Sequence, residues 1–270
     1  MIQKIDKIEF KMKEPYDFGF LSEYGTVFKV FDDQDSGNIC FGTEKDGKKY
    51  FIKFAGAKTA EYNGTPDDAV GRLKETVSIY ENLRHKNLIK YIDSKEIGNG
   101  FVMIFKWTDG ECMGRMYPES HRRFMSLSNE IRLKVFADIM DFMKYTAEQN
   151  FLAIDFYDGS ILYDFEKQKT IICDIDFFRK QPVINDMGRM WGSRVFMSPE
   201  EFEKGAVLDE ITNVYTLGAM AFALFGKYKR DLENWTLSKE LYNVAVKAIS
   251  DSRDNRQQSI WQLIHEWNKA

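Results

Sequence analysis

The sequence predicts an α+β fold in two lobes: a small antiparallel β-sheet with one helix, followed by a mainly helical part. Short segments that alternate apolar and polar residues, rich in aromatic and β-branched side chains, dominate residues 1–100. Beyond residue 110, most segments carry apolar residues at helical spacing. Because 270 residues suffice for one bilobal domain, we expect a single domain over 1–270, with an N-lobe at 1–105 and a C-lobe at 106–270.

The first lobe is predicted to contain five strands and one helix in the order β-β-β-α-β-β. The helix begins at Pro66, because proline is favoured at the first helical position. Asp67 and Asp68 follow in the first turn, where acidic side chains interact favourably with the helix dipole. The strands are predicted at residues 25–31, 38–43, 49–54, 88–92 and 100–105.

The second lobe is predicted to contain helices at residues 128–150, 211–226 and 259–268. After the first of these helices, two short strands at residues 161–163 and 170–173 are predicted to form a hairpin. Asp155 precedes the first strand and Asp174 follows the second, so the hairpin would bring both acids to one end. One carboxylate could orient a hydroxyl while the other holds a metal ion, as phosphoryl transfer requires. The alternative is a surface hairpin with solvated aspartates.

The composition argues against several other classes of function. A net charge of −4 gives no electrostatic basis for binding nucleic acid or an anionic membrane. Cys40, Cys112 and Cys173 are scattered without metal-ligand spacing, which suits free thiols in a reducing compartment. No apolar run has the length of a membrane span or the form of a signal peptide. We therefore expect a cytoplasmic protein with no nucleic-acid or membrane partner; the sequence gives no indication of oligomeric state.

Several motifs occur in the order and near the spacing of the protein-kinase fold, which the chain resembles over nearly its whole length. Residues 50–53 (YFIK) are similar to the third-strand motif that ends in a nucleotide-binding lysine. Asp155 falls at the catalytic-loop aspartate, and Asp174 at the first residue of the D-F-G motif. The remaining motifs lie at residues 83–89, 109–111, 192–200, 213–218 and at Arg256.

The resemblance implies a site for ATP with Mg²⁺ or Mn²⁺. Asp155 would be the catalytic residue that orients the substrate hydroxyl and accepts its proton. Lys53, oriented by Glu75, would hold the α- and β-phosphates. Asp174, helped by Ser160 or Asp176, would bind the metal ion. The remaining nucleotide-binding positions that the resemblance implies are Gly37 and Ile39 of the phosphate loop, Ile104 at the gate position, and Phe105 to Trp107 along the adenine.

The segment 192–200 (GSRVFMSPE) is similar to the substrate-side loop that ends in A-P-E, which favours a protein substrate and the eukaryotic-like Ser/Thr type. Aminoglycoside and choline phosphotransferases share the fold but usually lack this segment. The leading hypothesis is therefore an ATP-dependent Ser/Thr protein kinase. The alternatives are a kinase-like scaffold with little or no transfer, and a small-molecule phosphotransferase, which would need an acidic substrate pocket in the C-lobe.

The phosphate loop departs from the family pattern. Residues 32–39 contain one glycine, Gly37, whereas bare glycine backbone is what closes over phosphates. Asp32, Asp33 and Asp35 bring negative charge toward a polyanion. Either these acids point to solvent from a hairpin tip, or the loop binds nucleotide weakly or through extra metal.

The catalytic loop departs as well. Ala153 and Ile154 replace the His and Arg of H-R-D, so control by loop phosphorylation is not expected. Tyr157 replaces a lysine near the transferred phosphoryl group, and Ser160 replaces the asparagine that holds a second Mg²⁺. Asp176 either restores a metal ligand or caps a turn.

Two predictions concern the support of the site. Glu75 is one residue out of register with the family's helix glutamate, which on a helix is about 100° of rotation. Either a bulge or shift of the helix restores its pair with Lys53, or Lys53 lacks this partner. The resemblance also implies a buried ion pair between Glu200 and Arg256, and a structural hydrogen bond from Asn213 where the family has aspartate.

Overall fold

The computed structural model describes residues 1–270, and their contacts divide the chain into two compact units. The first unit comprises Met1–Arg84 and Ile89–Asp109. The second unit comprises His85–Leu88 and Gly110–Ala270. No helix is long and apolar enough to cross a membrane.

The first unit is built on a five-stranded antiparallel sheet, as the sequence predicts. The strand order is β3-β4-β5-β7-β6, and a separate hairpin, β1-β2, precedes the sheet in the chain. One helix, α1, begins after Thr65, whose side chain accepts from the Asp68 N–H in a capping box. The elements are β1 Ile2–Ile5, β2 Ile8–Lys11, β3 Thr26–Phe31, β4 Asn38–Lys45, β5 Lys48–Ala55, α1 Pro66–Asn82, β6 Tyr91–Ile97 and β7 Gly100–Lys106.

The two faces of this sheet differ in what covers them. Directly paired residues of antiparallel strands lie on the same face, so the register separates two sets. One face carries Phe41, Ile52 and Ile104 and belongs to the main apolar core of the unit, together with Phe10 of β2. The other face carries Lys53, which is paired with Cys40 on one side and Met103 on the other, together with the aromatic side chains described below.

The strand predicted at residues 88–92 begins three residues later, at Tyr91. The reason is that the residues before it are held by the second unit. The Asn87 side chain donates to the Thr170 carbonyl over 3.0 Å, and its carbonyl accepts from the Ile172 N–H over 2.6 Å. Leu88 forms an isolated parallel bridge with Ile172.

The second unit is mainly helical, as predicted. Its most buried helix, α4, is buried along almost its full length and forms the centre of the unit. The sequence did not predict α2 and α5, which are short. The elements are β8 Glu111–Cys112, α2 Pro118–Met125, α3 Asn129–Glu148, β9 Phe151–Leu152, β10 Ile161–Asp164, β11 Lys169–Ile172, β12 Arg179–Lys180, β13 Val183–Ile184, β14 Val207–Leu208, α4 Glu210–Phe225, α5 Lys239–Ala248 and α6 Ile260–Lys269.

The predicted ion pair of Glu200 and Arg256 is confirmed. The Arg256 guanidinium donates two hydrogen bonds to the Glu200 carboxylate, over 2.7 and 2.9 Å, and its side chain is fully buried. Arg253, which the sequence did not implicate, adds a bond of 2.7 Å to Glu200 and one of 2.6 Å to Asp209. Burial alone would raise the pKa of Glu200, but the bonds and charge of the arginines outweigh it, so this pKa lies below its ordinary value.

The neighbouring carboxyl, Glu201, behaves in the opposite way. It is 5% exposed and accepts two hydrogen bonds from Ser198, at 2.6 Å from the backbone N–H and 2.9 Å from the hydroxyl. Burial outweighs these bonds and raises its pKa from 4.5 to about 7. The folded chain therefore holds this proton more tightly than the unfolded chain does.

This difference predicts a pH dependence that Glu201→Gln removes. Stability from this group is fully present below pH 4.5 and is lost as pH rises toward about 7, because over this range the unfolded chain gives up the proton while the folded chain still holds it. Between pH 5 and 8, urea unfolding should show the stability of Glu201→Gln rising relative to wild type by about 3 kcal/mol. Parallel pH profiles of the two proteins would contradict the assignment.

Candidate active site

Asp155 lies in a sharp loop between β9 and β10. Its φ is 58°, in the left-handed region that non-glycine residues rarely adopt. Asp174, just after β11, has a φ of 56° and is strained in the same way. Such strain costs on the order of 1 kcal/mol per residue and persists where the surrounding structure fixes the backbone.

The hairpin predicted between these two residues is present. Strands β10 and β11 pair with Ile161 opposite Ile172. Beyond the end of the ladder, the Cys173 N–H donates to the Ser160 carbonyl over 2.9 Å. The residue before β10 and the residue after β11 are therefore hydrogen-bonded to each other, which fixes the start of the Asp174 segment against the end of the Asp155 loop.

A buried asparagine on α4 holds the start of the loop. The Asn213 side chain accepts from the Ala153 N–H and donates to the Ala153 carbonyl, each over 2.8 Å. Asn213 is 2% exposed, so water cannot replace either bond. Asparagine can satisfy both backbone groups because its amide both donates and accepts, whereas an ionised aspartate only accepts. The substitution that the sequence showed at this position therefore changes the bonding rather than merely removing a charge.

Tyr157 lies beside both strained aspartates. Burial raises the pKa of its hydroxyl, and the charges of Asp174 and Asp155 raise it further. This tyrosine is therefore a neutral hydrogen-bond donor at physiological pH. Its ring lies 6.3 Å from that of Phe196, in the segment that resembles the substrate-side loop.

Asp158 and Ser160, two further residues of the loop, differ in whether their side chains have a hydrogen-bond partner. Asp158 accepts a hydrogen bond from the Tyr228 hydroxyl and is 5% exposed. Ser160 is fully buried, and its hydroxyl has no hydrogen-bond partner. Asp174 is exposed and Asp176 is half-buried.

In the first unit, Lys53 lies on β5 on the face away from the apolar core. Ile39 and Ile104 were assigned to the nucleotide from the sequence, but the register places both on the opposite face, within the apolar core. A slip of one residue moves a side chain to the other face of a sheet. The residues that share the face of Lys53 at these positions are Cys40 and Phe105.

Aromatic side chains cover this face around Lys53. Phe51, at the alanine position of the V-A-I-K motif, has its ring centre 6.1 Å from that of Phe105 and 5.8 Å from that of Phe31. Trp107 lies 4.8 Å from Phe28 in an edge-to-face contact. An aromatic surface of this kind offers stacking to a planar base and leaves less room than alanine would.

Glu75 does not lie where the family's helix glutamate would be. It is exposed, and its carboxylate makes no ion pair. The next residue, Thr76, is buried and donates from its hydroxyl to the sulfur of Met103, the residue opposite Lys53. The rotation of about 100° per residue explains the difference, because α1 packs on the sheet without a bulge that would turn Glu75 inward.

The three aspartates of the acidic loop in the first unit are either bonded to the backbone or exposed. Asp32 accepts a hydrogen bond of 2.6 Å from the Lys11 N–H, while Asp33 and Asp35 are exposed. Gly37 is buried with a φ of 84°, and a side chain there would collide with Tyr62. This glycine is therefore required by the turn itself.

Comparison with known proteins agrees with this arrangement. The family model described as protein kinase domain matches residues 35–267. The chain belongs to the protein kinase domain family. As a family, protein kinase domains phosphorylate proteins and use ATP with a divalent metal ion.

Three curated relatives are distant. The chain is 22% identical over 175 residues to the dual specificity protein kinase zak2 of Dictyostelium discoideum, covering 55% of this chain and 27% of that protein. It is 23% identical over 198 residues to a probable LRR receptor-like serine/threonine-protein kinase of Arabidopsis thaliana, covering 70% and 18%. It is 20% identical over 196 residues to the probable serine/threonine-protein kinase zyg-1 of Caenorhabditis briggsae, covering 71% and 25%. The chain thus matches about a quarter or less of the length of each.

The residues of this kinase domain fit a nucleotide-bound divalent metal ion. No three His, Cys, Asp or Glu side chains come together to enclose an ion. Mg²⁺ in such sites takes one or two carboxylates and fills its other positions with phosphate oxygens and water. The exposed carboxylate of Asp174 and the unpartnered hydroxyl of Ser160 are oxygen donors of the required kind.

Sequence reasoning missed three contributors to this kinase site. Tyr157 was treated as a lost cation rather than as a half-buried neutral side chain beside both aspartates. The two hydrogen bonds between Asn213 and Ala153 join residues that are far apart in the chain. Tyr228 holds Asp158 from a segment between α4 and α5 that carries no motif. None of these contacts has a local sequence pattern, since each depends on tertiary packing.

Asn213→Asp should destabilise the second unit by about 1–3 kcal/mol, because the carboxylate cannot donate to the buried Ala153 carbonyl. Urea unfolding at neutral pH measures this loss. The matched control is Asn268→Asp, which makes the same change at an exposed position. Equal stabilities of the two variants would contradict the role given to Asn213.

Ser160→Ala should leave the unfolding free energy within about 0.5 kcal/mol of wild type, because the lost hydroxyl has no partner in the protein. If this hydroxyl ligates metal, the Mg²⁺ concentration for half-maximal thermal stabilisation by ATP should rise about tenfold. Ser198→Ala is the control, since this buried hydroxyl bonds Glu201 instead. An unchanged Mg²⁺ dependence in Ser160→Ala would exclude it as a ligand.

Proposed function

We propose that this kinase domain transfers the γ-phosphoryl group of ATP to a serine or threonine hydroxyl of a protein substrate. The observation that carries the proposal is the pair of strained aspartates, Asp155 and Asp174, on a loop and a hairpin end that are tied to each other and to α4. Strain at two acidic residues within one constrained segment is typical of an active site.

The proposed roles follow from the chemistry of each group. Asp155 orients the substrate hydroxyl and accepts its proton as the oxygen attacks the γ-phosphorus. Tyr157 replaces the family's lysine near the transferred phosphoryl group. Its role is to donate a hydrogen bond, which can orient that group but does not neutralise its charge. Lys53 holds the α- and β-phosphates, and Asp174 with Ser160 holds Mg²⁺ or Mn²⁺. The ion, when bound, stabilises the negative charge of the transferred group.

A protein acceptor is supported by the segment 192–200 and by the cationic lining of a cavity in the second unit. This cavity is lined by Arg115, Arg122, Arg132 and Lys227 with no acidic residue. Such a lining disfavours cationic acceptors such as aminoglycosides and choline, which need an acidic pocket. The three free cysteines support the proposal that the protein works in the cytoplasm.

A second candidate function is a kinase-like binding protein without transfer. Two observations of the first unit favour it. Glu75 is exposed, so the lysine–glutamate pair of active kinases is not formed by this residue, and the bulky Phe51 stands at the alanine position of the motif. Retention of Lys53, Asp155 and Asp174 together favours transfer, because a fold kept for binding alone has no chemical need of all three.

Two substitutions separate binding from transfer. Asp155→Asn should retain metal-dependent stabilisation by ATP and lower phosphoryl transfer to a Ser/Thr peptide library by at least about a hundredfold. Asp174→Ala should abolish the metal-dependent stabilisation. A thermal-shift assay measures the metal-dependent stabilisation by ATP, and a radiolabel assay measures phosphoryl transfer.

Asp254→Asn, at an exposed position of the second unit, is the control and should match wild type in both assays. Full transfer by Asp155→Asn would show that the catalytic assignment is wrong. Nucleotide binding by wild type without transfer to any library would support the second candidate.

A further inference from the structure

The second unit contains a cavity of about 630 Å³ between α2, the start of α3 and the segment that follows α4. Its lining includes four permanent cations and a histidine, but no aspartate or glutamate. The chain as a whole has a net charge of −4, so this concentration of positive charge is local. The lining residues that carry the argument are Arg115, His121, Arg122, Arg132, Lys227 and Tyr228.

Arg132 is the most informative of these residues because it is a buried cation without a counter-ion. It is 8% exposed; it donates one bond of 2.7 Å to the Leu224 carbonyl and one to the Asn129 side chain. Its Nε has no hydrogen-bond partner. Burial lowers its pKa, with no carboxylate opposing the change. A buried charge of this kind is costly unless it is paired, and an anion in the cavity would pair it.

The other cations are exposed and make no ion pairs of their own. Arg122 lies on α2 next to Arg123, which pairs with Glu111. Arg122 has no such carboxylate, and neither Arg115 nor Lys227 has one. Three unpaired cations and one buried arginine around a single cavity make a site for a multiply charged anion, because several cations can donate to its oxygens at once.

The cavity is joined to the catalytic loop through Tyr228. The Arg115 guanidinium lies 4.1 Å from the centre of the Tyr228 ring. The Tyr228 hydroxyl donates to Asp158, three residues after Asp155. The same ring is 6.3 Å from Phe196 in the substrate-side segment. An anion held in the cavity would therefore lie in the part of the second unit that presents the acceptor.

We propose that this cavity binds the phosphoryl group of a residue that is already phosphorylated in the protein substrate, and so selects substrates for further phosphorylation. The proposal rests on the proposed function for its biological meaning. A phosphoryl group fits the cations better than a single carboxylate does, since it carries close to two charges and three acceptor oxygens at neutral pH. The volume leaves room for the side chain that carries it.

Calorimetric titration without ATP tests the binding. The probes are a short glycine peptide with a central phosphoserine, the same peptide with serine, and inorganic phosphate. Wild type should bind the phosphopeptide more tightly than inorganic phosphate and should not bind the serine peptide. Arg122→Gln combined with Lys227→Gln should weaken phosphopeptide binding by about tenfold or more.

The matched control combines Lys134→Gln with Lys229→Gln. It removes the same two charges from exposed positions outside the cavity, and it should bind within about twofold of wild type. Equal weakening in the control would reduce the effect to overall charge and overturn the cavity assignment. Binding of inorganic phosphate as tight as that of the phosphopeptide would assign the cavity to a free anion and overturn the substrate proposal.

Rates on peptides separate this inference from the proposed function. Peptides with a Ser/Thr acceptor and a flanking phosphoserine should show a KM at least about tenfold lower than their unphosphorylated counterparts, and the cavity variant should lose that advantage. Equal KM values for the two peptides overturn substrate selection. Phosphopeptide binding without transfer to any peptide overturns the proposed function and leaves the phosphoryl site standing.

Discussion

The double hydrogen bond between Asn213 and Ala153 is the constraint on which the second unit's site depends. It joins the first turn of the most buried helix to the backbone two residues before Asp155. Because the amide is buried, the loop cannot exchange these bonds for water without a cost of about 1–3 kcal/mol. The chain lacks the His and Arg that normally precede the catalytic aspartate, and the loop is held at its backbone instead.

Around this anchor, strain is balanced by local bonding. Asp155 and Asp174 occupy left-handed conformations, and the bond from Cys173 to Ser160 closes the hairpin at the point where the two segments meet. The side chains of Tyr157 and Asp158 are held in turn by burial and by Tyr228. The backbone of the site is therefore fixed by hydrogen bonds at several points, which suits a reaction that depends on positioning.

The sequence predicted the elements better than the orientation of side chains on them. Alternation and turn residues located β3, β4 and β5, and helical periodicity located α1, α3 and α4, because these patterns report burial directly. Orientation is more sensitive: one residue of register separates Ile104 from the face of Lys53, and one residue of helix separates Glu75 from Thr76. The region after α1 was misjudged because Asn87 and Leu88 pair with β11, which no local pattern predicts.

The site residues divide in the same way. Asp155, Asp174 and Lys53 were predicted from their places in motifs with fixed spacing. The cationic cavity was not found, since Arg115, Arg132 and Lys227 come from three separate segments and the net charge of the chain is negative. These residues come together only in the folded chain, where Arg132 is buried and its Nε lacks a hydrogen-bond partner.

Intact-mass analysis of the purified chain after incubation with ATP and either Mg²⁺ or Mn²⁺ tests the central claim most directly. The account predicts mass steps of one phosphoryl group that require the metal ion and are absent from Asp155→Asn treated in the same way. An unchanged mass with both ions, together with no rise in melting temperature on adding ATP, would contradict it.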